Sequence, residues 1–209
     1  MVFDAHTAPI TLLLLIVNGL VSGYALLSEP SLVERLGLSP RRILEQNEYY
    51  RFITAGFVHV GFGHLAVNMI TLYFFGPVLE PVLGAVGFLV LYFGAELAAH
   101  GLAFWHQRDN TQYMAVGASG AISGVVFAYC LFAPFEMIYV FFALPMPTWL
   151  FAVVYVVGSI YAMRQAKAEG RVGGIAHEAH LGGALGGVLL TLALEPWVVG
   201  RLMEQLGLG

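Results

Sequence analysis

Six stretches of this sequence run for about 20 residues or more with at most one charged side chain each, which is enough apolar length for a helix to cross a bilayer. They are residues 8–27, 52–79, 81–105, 113–133, 144–164 and 172–194. Charged residues make up only 11% of the chain, against about 25% in soluble domains. We therefore predict an all-α membrane protein, a polytopic bundle of six transmembrane helices in a single domain over residues 1–209.

The rest of the composition excludes several classes of protein. The chain has 9 Lys+Arg against 13 Asp+Glu, a net charge of -4, so no basic surface is expected to meet nucleic acid. The single cysteine, Cys130, rules out an internal disulfide and a CxxC site for metal or redox chemistry. The sequence predicts that the chain lies in the lipid bilayer. Nothing in the sequence specifies an oligomeric state.

The basic residues are distributed unevenly over the predicted loops. Eight of the nine lie on the side of the first, third and fifth loops: Arg35, Arg41, Arg42, Arg51, Arg108, Arg164, Lys167 and Arg171. The positive-inside rule places this side toward the cytoplasm. In and just after the first loop, residues 28–51, charged side chains alternate with apolar ones over residues 32–44 and 45–52. This pattern is typical either of a segment in the headgroup layer or of a small helical cap outside the membrane.

Four polar side chains lie at one predicted depth inside the bilayer. His64 and Asn68 are four residues apart on one face of the second span, Ser119 is early in the fourth, and His180 is early in the sixth. In a six-span topology these three spans start from the same side of the membrane. A serine, a candidate base and two further hydrogen-bond donors at one depth indicate acyl-transfer chemistry.

Glycines accompany two of these polar residues. Gly182 and Gly186, and likewise Gly183 and Gly187, form small-xxx-small patterns that allow close helix packing. The fourth span has the same feature around Gly117, Gly120 and Gly124. We expect packing between these two helices to bring Ser119 within reach of His180.

From about residue 50 to residue 190 the chain resembles the rhomboid family of intramembrane serine proteases. The segment from His59 to Met69 resembles the second-span motif of the family with its His-x-x-x-Asn end. Gly117-Ala-Ser119-Gly120 resembles its Gly-x-Ser-Gly nucleophile motif, and Ala179-His180-Leu-Gly-Gly resembles its sixth-span histidine motif.

The resemblance implies a catalytic dyad and an oxyanion hole. Ser119 would be the nucleophile and His180 its general base, with no orienting carboxylate. His64, Asn68 and the Ser119 backbone N–H would form the oxyanion hole, and Gly117 and Gly120 would be the motif glycines. The expected activity is that of a serine endopeptidase, a hydrolase that performs intramembrane proteolysis on transmembrane protein substrates.

The resemblance implies no cofactor and no metal. It also implies a location, that of a multi-pass integral protein of a cell membrane or an inner membrane. In the family, the active site opens on the outer or lumenal face. The charge bias points the other way, so both orientations stay open.

Some polar residues near the predicted dyad have two interpretations. His59 and His177 could line a water entrance together with Thr54 and Ser123, or the two histidines could be hydrogen-bonded structural residues. Ser123 also departs from relatives that carry an aromatic residue one turn after the nucleophile. The stacking partner of the base is therefore left open.

Two other functions are alternatives. An inactive rhomboid-like protein could bind membrane clients, although such relatives lack the nucleophile or the base, which this chain retains. A metal site or transporter could use His59, His64, His177 and His180. However, His177 and His180 are one residue short of the H-E-x-x-H spacing, and no carboxylate cluster accompanies them.

Overall fold

The computed structural model describes residues 6–140, 143–168, 176–205 and 207, without the side chains of residues 166–168. Most of these residues are helical. In chain order the helices are α1 (Pro9–Leu27), α2 (Ser31–Leu36), α3 (Pro40–Gln46), α4 (Arg51–Thr54), α5 (Phe62–Gln107), α6 (Ser119–Phe132), α7 (Thr148–Ala168), α8 (His177–Leu194) and α9 (Trp197–Gln205). A 3-10 turn, Ala55–Phe57, follows α4. Strands β1 (Met137–Val140) and β2 (Leu144–Pro147) pair as an antiparallel hairpin.

Among the described residues, two helices, α1 and α5, are long and apolar enough to cross a membrane, and a third crossing is added if the bent pair α8 and α9 forms one span. Helix α5 has 46 residues. It would rise about 69 Å if straight, roughly twice the hydrocarbon thickness of a bilayer. It is interrupted at Gly84, which has φ 68° and ψ 165°, so two helical halves meet there. These halves correspond to the predicted second and third spans, whereas the count of six crossings stays a prediction.

Two helices begin later than the sequence predicts. The stretch of the second span, 52–79, is long enough for an approach segment plus a crossing, and it becomes helical at Phe62 after short turns. The fourth becomes helical at Ser119 rather than at residue 113, and the fifth at Thr148 rather than at residue 144. Residues 144–147 instead form β2, so the all-α prediction is corrected to a mostly helical fold with one hairpin. Pro145 and Pro147 lack the N–H groups that a helix would need there.

The predicted sixth span becomes helical at His177. Residues 172–175, its predicted start, lie outside the described residues, as do Arg171 and the side chain of Lys167.

Helix α8 packs between α5 and α6 along two glycine faces. On one face, a Cβ atom added at Gly183 would lie 1.9 Å from the carbonyl oxygen of Gly120, and one added at Gly187 would lie 2.4 Å from the Gly124 Cα. On the other face, a Cβ at Gly182 would lie 2.6 Å from the carbonyl oxygen of Ala98 in α5. The backbones therefore touch directly, which confirms the close packing that the small-xxx-small patterns predict.

We expect Gly183→Ala to destabilise the protein by about 1–3 kcal/mol, because the added methyl group meets backbone that has no room to move. Thermal unfolding of the purified protein in detergent measures this. Gly19→Ala in α1 is the matched control, since nothing lies within 4 Å of its added Cβ. Equal unfolding temperatures for the two variants would contradict the backbone contact.

Helix α1 is joined to α5 through the carboxylate of Glu80. This carboxylate accepts hydrogen bonds from the N–H groups of Ile10 (2.8 Å) and Thr11 (2.7 Å) and from the Thr11 hydroxyl (2.8 Å). The first N–H groups of a helix have no partner within the helix, and a negative charge there is favourable. The contact fixes α1 against the bundle and brings Ser22 next to the loop before α5.

The long first loop is held by a buried guanidinium. Arg51 is fully buried and donates to Glu48 Oε2 (2.6 Å) and to the carbonyl oxygens of Glu34 (2.9 Å) and Gly37 (2.5 Å). A buried charge is stable only when it is paired and hydrogen-bonded in this way. Its hydrogen bond to Glu48 holds the pKa of that carboxyl below its usual range.

A carboxyl whose pKa is lowered on folding stabilises the protein above its ordinary pKa, and the contribution is lost as the pH falls through the lowered value. We therefore expect Glu48→Gln to lower the unfolding temperature at about pH 7. The difference from the wild type should narrow as the pH is reduced toward about 3. Glu45→Gln is the control, because Glu45 pairs with Arg41 on an exposed surface. A pH-independent difference for Glu48→Gln would contradict the charge pairing.

Candidate active site

The structure brings the predicted nucleophile and base together. The Ser119 Oγ atom lies 2.8 Å from the His180 Nε2 atom, and the pair is partly buried. Ser119 is the first residue of α6, and His180 lies in the first turn of α8. The glycine contacts between α6 and α8 start one residue after Ser119, at Gly120, so the same packing sets this distance.

The nearby carboxylate faces away from the imidazole. Glu178 is buried and accepts a hydrogen bond from Gln107 at the end of α5 (2.8 Å). It therefore ties α8 to α5. The ring of His177 lies beside that of His180, with centroids 6.3 Å apart at 85°.

His64 lies against the loop that leads to Ser119, and Asn68 follows His64 one turn later in α5. His64 lies in the first turn of α5, and its ring lies against Gly117. The Nδ1 atom of His64 is buried and has no hydrogen-bond partner within the described part of the chain. Asn68, one turn further on, is buried and donates from Nδ2 to the His64 carbonyl oxygen (3.0 Å). In this part of the chain, His64 therefore places a buried polar atom next to the loop that leads to Ser119.

Gly117 is required by its backbone conformation and by its surroundings. It has φ 109°, a value that L side chains rarely adopt, and a Cβ added to it would lie 2.4 Å from the His64 Cε1 atom. Its N–H donates to the Ala55 carbonyl oxygen (2.9 Å). The first glycine of the Gly-x-Ser-Gly motif thus lets the chain pass directly beneath the His64 ring.

His59 is a buried structural residue and does not line an entrance. Its Nδ1 atom lies 2.7 Å from the Ser22 Oγ atom, and its Nε2 atom accepts the Ala118 N–H (3.4 Å). Ser22 donates its hydroxyl proton to the Phe57 carbonyl oxygen (2.8 Å), so its oxygen must accept from His59. His59 is therefore neutral with its proton on Nδ1, and it links α1 to the residue before Ser119.

Two side chains in the surroundings of Ser119 and His180 could not be identified from the sequence pattern. Ser22 comes from α1 and Tyr155 from α7, and both helices are apolar on most of their surface. Of the other residues considered for an entrance, Thr54 donates to the Leu36 carbonyl oxygen (2.9 Å) and Ser123 donates to that of Ser119 (2.8 Å). Their hydroxyl protons are therefore used in local bonds.

The metal-site alternative depends on clustered ligands. Within residues 6–140, 143–168 and 176–205, no three His, Cys, Asp or Glu side chains form a group that would hold a metal ion. The alternative therefore gains no support from this part of the chain.

Comparison with known proteins identifies the family. A family model described as Rhomboid domain matches residues 46–197, which is more than half of the chain. This chain belongs to the rhomboid family. The match spans the segment in which the sequence motifs lie, and it includes the residues that carry the 2.8 Å contact.

Curated relatives come from several organisms. Rhomboid protein 1, mitochondrial, of Saccharomyces cerevisiae is 31% identical over 157 residues, covering 73% of this chain and 42% of the relative. Rhomboid-like protein 11, chloroplastic, of Arabidopsis thaliana is 30% identical over 161 residues, covering 70% and 53%. Putative rhomboid protease YdcA of Bacillus subtilis is 36% identical over 89 residues, covering 43% and 44%. The matches span about half the length of these relatives. With its apolar helices, the family membership makes this chain an integral membrane protein.

We expect Gly117→Ala to destabilise the protein and to displace His64, because both the positive φ and the 2.4 Å approach oppose a methyl group. The backbone conformation alone costs about 1–2 kcal/mol. The unfolding temperature in detergent measures the effect. Gly63→Ala, one residue before His64, has nothing within 4 Å of its added Cβ and should unfold like the wild type. If Gly117→Ala also unfolds at the temperature of the wild type, a glycine is not required at position 117.

Proposed function

We propose that this chain is an intramembrane serine endopeptidase that cleaves peptide bonds in or near transmembrane segments of other membrane proteins. The observation that carries the proposal is the 2.8 Å contact between the Ser119 hydroxyl and His180 Nε2. A serine hydroxyl is a weak nucleophile until a neighbouring base takes its proton, and this geometry meets that requirement.

In the proposed reaction, the Ser119 Oγ atom attacks the carbonyl carbon of the scissile bond while its proton passes to His180 Nε2. The tetrahedral intermediate collapses, and the imidazolium gives the proton to the leaving amine. Water then attacks the acyl-serine with His180 again as base, which releases the second fragment and restores the hydroxyl. No other reactant is needed.

The oxyanion is proposed to bind at the N-terminus of α6. The Ser119 N–H lies in the first turn of this helix, where amide protons have no partner within the helix and the helix dipole favours negative charge. His64 supplies a buried ring nitrogen that has no hydrogen-bond partner among the described residues, and Asn68 lies one turn along the same helix. Removing one such donor typically slows acyl transfer by about 10²–10³-fold.

The catalytic set is proposed to be a dyad, because the carboxylate of Glu178 is bonded to Gln107. A third group normally orients the imidazole and stabilises its charged form. A modest turnover is therefore expected.

The substrate is proposed to be a membrane-spanning helix that unwinds locally. The peptide bonds of a regular helix are shielded by their own hydrogen bonds, so small or helix-breaking residues at the cleavage site would favour reaction. The location is proposed to be a cell membrane or an inner membrane.

The experiment is cleavage of a single-pass reporter by the purified full chain, combined with labelling by a fluorophosphonate probe. We expect two reporter fragments and probe attached to Ser119. Ser119→Ala should abolish both, and His180→Ala should slow cleavage by at least about 10²-fold. His64→Ala and Asn68→Ala should each slow it by about 10²–10³-fold.

Ser28→Ala and His106→Ala are matched controls, since both side chains are exposed and outside the proposed site. They should cleave like the wild type. Undiminished cleavage by His180→Ala would contradict the mechanism. A wild type that takes up no probe and cleaves no reporter would favour the inactive client-binding alternative.

A further inference from the structure

Tyr155 of α7 lies beside the proposed dyad, with its hydroxyl on Ser123 and its ring near His180. Its hydroxyl oxygen lies 2.6 Å from the Ser123 Oγ atom, one turn after Ser119 in α6. Its ring centroid lies 6.2 Å from that of His180, with the planes inclined at 34°. This distance is within the range in which aromatic rings interact favourably.

The direction of the hydrogen bond follows from the available protons. Ser123 has one hydroxyl proton, and it donates this proton to the Ser119 carbonyl oxygen, which can only accept (2.8 Å). The Tyr155 hydroxyl must therefore donate to Ser123. The resulting chain of bonds runs from α7 to the backbone of the nucleophile, and the ring of the same tyrosine lies beside the base.

An aromatic cluster keeps Tyr155 in place. Phe127 of α6 and Phe151 of α7 lie 5.3 Å and 5.5 Å from its ring centroid. Most of the remaining α7 surface is exposed, including Val154, Val157 and Tyr161. The contact between α7 and α6 near the dyad therefore depends largely on this cluster.

We propose that Tyr155 is a positioning residue that holds Ser119 and His180 in register and makes their geometry depend on where α7 lies. A displacement of α7 would break the bond to Ser123 and remove the ring from His180 at the same time. This inference rests on the proposed function, because it assigns a role in the same reaction.

The test uses the purified full chain and the single-pass reporter, with kcat, KM and the rate of fluorophosphonate labelling measured for each variant. Tyr155→Phe keeps the ring and loses the hydrogen bond, so kcat and labelling should fall by about 2- to 12-fold with KM unchanged. Tyr155→Leu loses both the ring and the hydrogen bond, so its kcat and its labelling rate should fall by at least about 10-fold. Tyr161→Leu, an exposed tyrosine of the same helix, should behave like the wild type.

A double-mutant cycle separates positioning from general packing. Ser123→Ala removes the acceptor, so adding Tyr155→Phe to it should produce no further loss. Three results would overturn the inference: additive losses of activity in the double variant, an effect on KM alone, or losses that match those of Tyr161→Leu.

The two proposals fail differently in this experiment. If the wild type is labelled at Ser119 and the Tyr155 variants are labelled at the same rate, only the positioning role is wrong. If the wild type takes up no probe and cleaves nothing, the protease proposal fails and the role of Tyr155 fails with it.

Discussion

Direct contact between the backbones of α6 and α8 is the constraint on which the rest of this structure depends. Gly120 and Gly124 face Gly183 and Gly187 with no space for even a methyl group between them. In lipid, apolar side chains gain little by leaving their surroundings, so helices associate through close packing and hydrogen bonds. These glycines therefore set the distance between the N-terminal ends of α6 and α8. Each of these ends carries one of the two side chains in the 2.8 Å contact.

A second constraint acts on the loops around the dyad, because buried polar groups need partners. The loop before α5 and the loop before α6 are joined by hydrogen bonds from Gly117 to Ala55 and from Ala118 to His59. Arg51 does the same for the first loop through two carbonyl oxygens and one carboxylate. The elements around Ser119 and His180 are therefore held by these hydrogen bonds in addition to the glycine contacts.

Much of this arrangement could be predicted from the sequence. The nearness of Ser119 and His180 is predicted by two features together, a six-span topology that would place both residues at one depth and glycine patterns that allow their helices to pack closely. The two glycine faces of α8 follow from four-residue spacing. By contrast, the hairpin at 137–147 depends on pairing between two short segments, and no periodic pattern indicates that pairing.

Ser22 and Tyr155 could not be found in this way. Both lie on helices that are apolar on most sides, so nothing in the pattern shows which side faces the bundle. Tyr155 also answers a question that the sequence leaves open. The ring beside His180 comes from α7, whereas some relatives carry an aromatic residue where this chain has Ser123.

The position of Ser22 has a consequence for how the working unit of this protein is defined. The stretch that matches the rhomboid family model starts at residue 46, yet Ser22 hydrogen-bonds the histidine that holds the peptide group directly before the serine. The first helix is thus part of the scaffold of the site, even though it lies outside the region by which kinship is recognised. For this chain, a domain boundary placed at the start of the homologous region would exclude a helix that supports the proposed catalytic centre.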